Sequence, residues 1–140
     1  MKHNIDLKIL DTLIDMAKKA AESSYSPYSC FRVGAAVLCR DGSMYPGTNV
    51  ENRSYGLTIC AERSAAASAV SQGHREFTAV AVYSPDAEYP IPPCGACRQV
   101  LSEFSVSGCI VIMANPEKIM EKQLSDLLPF DSLQELKIHK

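Results

Sequence analysis

Three cysteines and one glutamate stand at spacings that suit hydrolytic chemistry on a metal ion. Cys60 is followed two residues later by Glu62, and further along the chain Cys94 and Cys97 stand three residues apart. Three sulfurs can fill three of the four positions around a tetrahedral zinc ion and leave the fourth for water, and a carboxylate beside that water can move protons. The two pieces are too far apart for a single zinc-binding loop. The fold must therefore bring two helix starts to one point.

Each cysteine has to lose its proton to bind a metal, because the thiolate and not the thiol is the ligand. The helices predicted below place all three cysteines near a helix start. Unpaired backbone N–H groups and the positive end of the helix dipole favour negative charge there. The spacing of Cys94 and Cys97 also puts both on one face of their helix.

Spacing alone leaves other interpretations of these residues open. Cys94 and Cys97 have the spacing of a redox-active pair, although that reading gives Cys60 and Glu62 no role. Glu62 alone is typical of a carboxylate favoured at a helix start. A structural zinc site needs a fourth protein ligand, and the histidines available for it lie in terminal or surface-like contexts: His3, His74 and His139.

Hydrophobic periodicity predicts the elements that position the four residues. Helices are predicted over residues 6–21, 59–72 and 94–104, and after residue 131. Strands are predicted over residues 31–39, 44–50, 78–84 and 109–114. Pro93 is expected at the first position of its helix, after a proline-rich loop. Strands that alternate with helices indicate one sheet with helices on both faces.

The composition is that of an ordinary soluble globular protein, and residues 1–140 are predicted to form a single domain. No apolar run approaches the roughly 20 residues of a membrane span, and the N-terminal residues lack the features of a secretory signal. A cytoplasmic protein without a membrane partner is expected, and its six cysteines are expected to be reduced. A net charge of −2 gives no general attraction to nucleic acid, so the substrate is expected to be small.

The segments around these four residues resemble the short, homo-oligomeric cytidine deaminases. The resemblance runs from about residue 26 to residue 129, and it is carried by SPYS at 26–29, VGAA at 33–36, NVEN at 49–52, SYGLTICAER at 54–63 and PCGACRQVL at 93–101. It implies a three-layer α/β/α sandwich with a five-stranded mixed sheet. Periodicity finds four of these strands, and the resemblance places the fifth near residues 118–124.

The resemblance implies one zinc ion per subunit, bound by Cys60, Cys94 and Cys97, with Glu62 as the catalytic acid and base. Three thiolates leave the zinc centre negatively charged, which weakens it as a Lewis acid. Arg63 is implied to offset this by donating hydrogen bonds to the ligand sulfurs.

A nucleoside pocket is also implied by the resemblance. Phe31 is implied to pack on the pyrimidine, Asn49 and Glu51 to hydrogen-bond a sugar hydroxyl, and the backbone near Ala61 to read the ring. Tyr55 is implied to reach a neighbouring subunit's active site, which makes a homotetramer with shared sites the expected active unit. Without the resemblance, Phe31 is equally typical of a core residue, and Asn49 and Glu51 of turn-forming surface groups.

The predicted reaction is hydrolytic deamination of cytidine and deoxycytidine to uridine and deoxyuridine plus ammonia, in pyrimidine salvage. Glu62 takes a proton from the attacking water, passes it to the adjacent ring nitrogen and then protonates the departing amine. Two alternatives stay open. One is a deaminase of the same fold acting on another cytosine nucleoside, such as a nucleoside antibiotic, although Asn49 and Glu51 favour an ordinary sugar. The other is a non-catalytic zinc-binding module, which has no need of Glu62.

Two positions depart from the family pattern. Arg53 stands where a small residue is common, close to the expected subunit junction, so sugar contacts or specificity are expected to depend on it. Beyond Pro129 the family usually places a Phe three residues on, but Ser132 occupies that place and Phe130 follows the proline directly. Phe130 is the candidate for the same aromatic contact if the loop is two residues shorter.

Overall fold

The computed structural model describes residues 5–133, which form a five-stranded sheet and four α-helices. The strands are β1 (Gly34–Cys39), β2 (Met44–Thr48), β3 (Phe77–Tyr83), β4 (Ser105–Ala114) and β5 (Ile119–Gln123). The helices are α1 (Leu7–Ala21), α2 (Ala61–Ser71), α3 (Gly95–Phe104) and α4 (Leu124–Leu127), with a 3-10 turn at Tyr55–Leu57. The helix predicted after residue 131 falls mainly on residues 134–140, outside the described residues.

The strands are ordered β2-β1-β3-β4-β5 across the sheet. β1 pairs antiparallel with both β2 and β3, β3 and β4 run parallel, and β5 returns antiparallel to β4. The fifth strand, which only the family resemblance predicted, therefore lies at one edge of the sheet. The expected five-stranded mixed sheet is confirmed.

Alternate residues of the central strands bury two separate cores, one on each face of the sheet. On one face α1 packs Leu10, Leu13 and Ile14 against small and branched residues of β1, β3 and β4. On the other face α2 packs through its alanines and α3 through Leu101. The α/β/α sandwich with three layers is therefore confirmed. None of the helices within residues 5–133 has the length and apolar character needed to cross a membrane.

The two helices that carry the cysteines begin slightly later than predicted. Cys60 and Cys94 have extended backbones, with ψ angles of 154° and 168°, and are the N-caps of α2 and α3. Pro93 therefore precedes the N-cap and does not occupy the first helical position. Because an N-cap residue lies just ahead of the first helical turn, the sulfurs of both caps stand beside the helix starts.

The strand predicted over residues 31–39 begins only at Gly34. Cys30, just before this range, has a positive φ of 57°. The backbone on either side of Arg32 bonds to a side chain. Asn49 supplies that side chain: its Oδ1 accepts from the Val33 N–H and its Nδ2 donates to the Phe31 carbonyl. Since the Asn49 backbone N–H also donates to the Val33 carbonyl, side-chain and backbone bonds of one residue together hold the entrance to β1.

Gly47 in β2 lies directly against the first turns of α2. A Cβ at this position would stand 2.6 Å from the Ala61 carbonyl oxygen and 2.8 Å from the Ala65 Cα, and closer still to the Ala65 nitrogen. Only a residue without a side chain allows strand and helix backbones to approach so closely. Gly47 therefore sets the distance between the sheet and the start of α2, next to Cys60.

Candidate active site

The three predicted zinc ligands meet where α2 and α3 begin, because both helices pack on the same face of the sheet. The Sγ atom of Cys94 lies 3.5 Å from that of Cys97 and 3.9 Å from that of Cys60. All three sulfurs lie within 4.8 Å of one another. Cys97 is buried, Cys60 is partly buried and Cys94 is exposed, so the cluster is open to solvent on the Cys94 side.

These sulfur spacings fit a tetrahedral zinc ion. With Zn–S bonds of about 2.3 Å, two sulfurs of a tetrahedral site stand about 3.8 Å apart, close to the two distances between neighbouring sulfurs found here. Within residues 5–133, no histidine or carboxylate joins the three cysteines as a fourth member of the cluster. The residues present therefore fit zinc with three protein ligands, the arrangement that catalytic zinc sites use.

Arg63 places a positive charge at the sulfur cluster. Its Nη2 donates to the Sγ of Cys60 at 3.4 Å. A hydrogen bond with Cys97, and then the one from Arg63, lower the pKa of the Cys60 thiol to about 5 against the opposing effect of burial. The pKa of Cys97 is raised, first by the same hydrogen bond with Cys60 and then by burial. A metal that binds Cys97 must therefore displace the proton of its thiol.

The guanidinium of Arg63 has one hydrogen-bonding group to spare. Its Nε is buried and has no hydrogen-bond partner among the described residues. A buried N–H without an acceptor is costly. More negative charge on the neighbouring sulfurs, as in zinc-bound thiolates, would lower that cost. The buried Nε is therefore a second feature of the site that fits a metal.

Glu62 is the second residue of α2, and only 4% of its surface is exposed. Burial is the main reason that the pKa of its carboxyl is raised to about 7, and the negative charge of Cys60 adds to the effect. The backbone N–H of Glu62 and the charge of Arg63 act in the opposite direction. A carboxyl with a pKa near neutrality can both take up and release a proton near pH 7.

Residues 7–113 match the family model of the cytidine and deoxycytidylate deaminase zinc-binding region. The chain belongs to this family. A cytidine deaminase from Halalkalibacterium halodurans is 50% identical over 118 residues, which are 84% of this chain and 89% of that protein. The crystal structure of a cytidine deaminase from Burkholderia pseudomallei has a TM-score of 0.80 at 43% identity, over 93% of this chain and 98% of that chain. A blasticidin-S deaminase from Bacillus cereus is 34% identical over 104 residues, 69% of this chain and 74% of that protein.

Asn49, which the deaminase family resemblance assigned to the sugar, is 8% exposed and braces the loop before β1. Besides its bonds of 2.9 Å to the Val33 N–H and 2.8 Å to the Phe31 carbonyl, its Oδ1 accepts from the Ser24 hydroxyl at 2.5 Å. An amide nitrogen carries two hydrogens, and the bond to Phe31 uses one of them. Asn49 is thus a loop brace with one donor hydrogen outside these bonds.

Glu51 braces an earlier part of the same loop. Its Oε1 accepts from the backbone N–H groups of Tyr28, at 2.9 Å, and Ser29, at 3.1 Å. Its Oε2 accepts from the Ser29 hydroxyl at 2.5 Å, and this hydrogen bond is the main reason that the pKa of Glu51 is lowered. The Ser29 Oγ in turn accepts from the Phe31 N–H. Sequence reasoning did not single out Ser29, although it lies in the SPYS segment.

The other predicted pocket residues differ in exposure. Phe31 is partly buried against the core that α2 and α3 share, and Ala61, the first residue of α2, is fully buried. Tyr55 is 75% exposed, and its ring meets the ring of Tyr28 edge-on with centroids 5.9 Å apart. Phe130 is fully exposed and has a positive φ of 55°. Tyr55 and Phe130 therefore present aromatic surface to solvent in the single chain.

Two further arginines fasten loops at the site, and neither was predicted to do so. The Arg32 guanidinium donates to both carboxylate oxygens of Asp86, at 2.9 and 2.7 Å, and so ties the residue after Phe31 to the loop before Cys94. Arg98 donates to two backbone carbonyls, one of which precedes Cys94. Because their partners are distant in sequence or are backbone atoms, no local pattern indicates these bonds.

Proposed function

We propose that this protein catalyses the hydrolytic deamination of cytidine and deoxycytidine to uridine and deoxyuridine, with release of ammonia. The observation that carries the proposal is Glu62, a carboxyl buried beside three sulfurs spaced for zinc, with a pKa of about 7. Neither a redox pair nor a structural zinc site needs such a group. The names of the relatives support a cytosine nucleoside as the substrate.

When bound, zinc supplies the Lewis acidity that makes water a nucleophile near neutral pH. Glu62 takes one proton from the attacking water and gives it to the ring nitrogen beside the amino-bearing carbon. The second proton of the same oxygen then passes through Glu62 to the amino group, so the C–N bond breaks as the new carbonyl forms. A pKa of about 7 suits a group that must act first as base and then as acid.

Arg63 is proposed to keep the zinc ion electrophilic. Its hydrogen bond to Cys60 draws electron density from that sulfur, which then donates less charge to the metal. The fork of the guanidinium suits this role because it can donate to a sulfur while other N–H groups point elsewhere.

The nucleoside is proposed to lie between Phe31 and the start of α2. Phe31 covers the pyrimidine face, and the backbone at Ala61 reads the ring. The remaining Nδ2 hydrogen of Asn49 donates to the sugar, and Glu51 Oε2 accepts from a sugar hydroxyl beside its bond to Ser29, because a carboxylate oxygen can accept two bonds. The same two side chains thus brace the loop and bind the sugar.

We propose further that residues 1–140 act as one deaminase domain that assembles into a homotetramer with shared active sites, in the cytoplasm and in pyrimidine salvage. Contiguous exposed apolar side chains mark interaction surfaces. Such side chains surround the 3-10 turn: Tyr25, Tyr28, Val50, Tyr55, Leu57 and Ile59. If Tyr55 completes a neighbour's site, dilution to monomers, followed by light scattering, abolishes activity. Full activity in a monomer contradicts shared sites.

Loss of the ultraviolet absorbance of cytidine on incubation with zinc-loaded protein tests the reaction directly. Wild-type protein is expected to turn over cytidine and deoxycytidine, and Glu62→Gln is expected to bind zinc stoichiometrically but lose turnover. Near-normal deamination by Glu62→Gln contradicts the assigned role. A panel that includes blasticidin S separates the alternatives: turnover of that compound but not of cytidine favours an antibiotic deaminase, and no turnover at all favours a zinc-binding module.

A further inference from the structure

α3 carries more than the two zinc ligands at its start. Arg98, one residue after Cys97, donates from Nε to the Pro93 carbonyl oxygen at 2.8 Å and from Nη1 to the Leu127 carbonyl oxygen at 2.8 Å. Its own backbone N–H donates to the Cys94 carbonyl oxygen at 2.9 Å. Arg98 therefore bonds to the carbonyl before the Cys94 Cα through its guanidinium and to the carbonyl after it through its backbone N–H. The same guanidinium also bonds to the last residue of α4.

The segment that Arg98 reaches through Leu127 is residues 127–131, which contains the exposed Phe130. A second bond from α3 holds the far end of this segment: the Ser102 hydroxyl donates to the Asp131 carboxylate. Ser102 follows Arg98 by one helical turn and so lies on the same face of α3. The segment is thus anchored at both ends to the helix that has Cys94 as its N-cap and Cys97 in its first turn.

We propose that Arg98 is a positioning residue that couples the geometry of the Cys94 zinc ligand to the position of segment 127–131. The Pro93 carbonyl belongs to the peptide unit that leads into Cys94, so its orientation affects where the Cys94 sulfur points. The rigid fork of the guanidinium allows one group to hold two carbonyls at once, which a single ammonium cannot do with the same geometry. The inference rests on the zinc site of the proposed function but not on the substrate.

Zinc release to a chromophoric chelator measures the first half of the coupling without any substrate. Arg98→Gln is expected to release zinc about tenfold faster than the wild type. Loss of a residue that hydrogen-bonds a metal ligand typically weakens a metal site about 10- to 100-fold, and the smaller value is expected because Arg98 acts through the carbonyl next to Cys94. Arg98→Lys keeps the charge but lacks the fork, and it is expected to release zinc as fast as Arg98→Gln. It also carries the test if the glutamine variant does not fold.

Ser102→Ala is the matched control, since it removes a bond from the same helix face to the same segment but leaves the Pro93 carbonyl held. It is expected to release zinc within twofold of the wild type. Hydrogen exchange of the zinc-loaded proteins measures the second half: the backbone of segment 127–131 is expected to exchange faster in Arg98→Gln than in the wild type.

Three results would overturn the proposal: wild-type zinc release in a folded Arg98→Gln or Arg98→Lys protein, zinc release by Ser102→Ala as fast as by Arg98→Gln, or unchanged exchange of the segment in Arg98→Gln. A protein that binds zinc but does not deaminate cytidine refutes the proposed reaction and leaves this test intact.

Discussion

Replacing Gly47 by alanine tests whether the close approach of β2 and α2 positions the active site. The added Cβ would stand 2.6 Å from the Ala61 carbonyl oxygen and closer still to the Ala65 nitrogen, whereas ordinary contacts begin at 3.4 Å, so the strand and helix must separate by more than about 0.8 Å. Its neighbours are backbone atoms, which cannot rotate away as a side chain could. Overpacking of this kind costs about 1–3 kcal/mol, or roughly 3–10 °C in melting temperature for a protein of this size.

The effect on catalysis is expected to be larger than the effect on stability. Ala61 follows Cys60 and precedes Glu62, so a movement of this size at the start of α2 displaces both a zinc ligand and the proposed acid and base. Misplacement by about 1 Å can lower a rate about 100-fold. The assay is kcat on cytidine at a temperature where the variant is folded, with zinc content measured in parallel.

Gly34→Ala is the control for lost stability: its Cβ would stand 2.5 Å from the Ala21 nitrogen, on the face of the sheet that α1 covers. The reasoning is refuted if Gly47→Ala keeps the melting temperature and kcat of the wild type, or if Gly34→Ala lowers kcat of the folded protein as much.

Arg63→Gln is expected to weaken zinc binding about 10- to 100-fold. The loss is expected to be larger at pH 6 than at pH 8, because the variant raises the pKa of Cys60 and protons then compete with zinc for its sulfur. Chelator competition at both pH values checks this, and equal weakening at both contradicts the assigned cause. Arg32 holds the pKa of Asp86 at about 2, so the melting temperature of the wild type is expected to exceed that of Asp86→Asn above about pH 4. This difference should disappear as the pH falls towards 2, and its persistence there contradicts the ion pair as its source. Asp6→Ala removes the N-cap bond of 2.7 Å to the Lys8 N–H and is expected to cost about 1 kcal/mol, with kcat unchanged; calorimetry measures the loss, and Asp6→Asn should restore most of it.

Local patterns predicted the elements well where the pattern itself has a physical cause. The continuous apolar runs in residues 78–84 and 109–114 report burial on both faces of the sheet, and these strands are observed as β3 and the inner part of β4. β5 was not found by periodicity, because its residues Ile119–Gln123 lie at the sheet edge and are mostly exposed or half-buried. The family resemblance predicted β5, because the family pattern includes the strand with which β5 pairs, whereas periodicity uses only the residues of β5 itself.

The starts of α1, α2 and α3 were predicted to within two residues, whereas the short helix α4 was not predicted. The errors at α2 and α3 have a physical reason. Cys60 and Cys94 are followed by helical residues and read as part of the helix, but their ψ angles are extended. Neither side chain makes an N-cap hydrogen bond, so the usual serine, threonine or aspartate signal is missing at both positions. At both N-caps the side chain is a predicted zinc-binding thiol, in place of the side-chain oxygen that usually indicates where a helix begins.

By itself the sequence determined that three thiols and a carboxylate stand at spacings that suit zinc, with an arginine beside the carboxylate, within segments typical of one enzyme family, and so it predicted which groups do the chemistry. Only the tertiary structure decided the state and the placement of those groups. The pKa of Glu62 depends on burial between elements, and Arg98 reaches Leu127 across 29 residues. Asn49 and Glu51 are loop braces because the segment after β2 meets the segment before β1. Residue type and spacing are local properties, whereas desolvation and long-range hydrogen bonds exist only once the chain has folded.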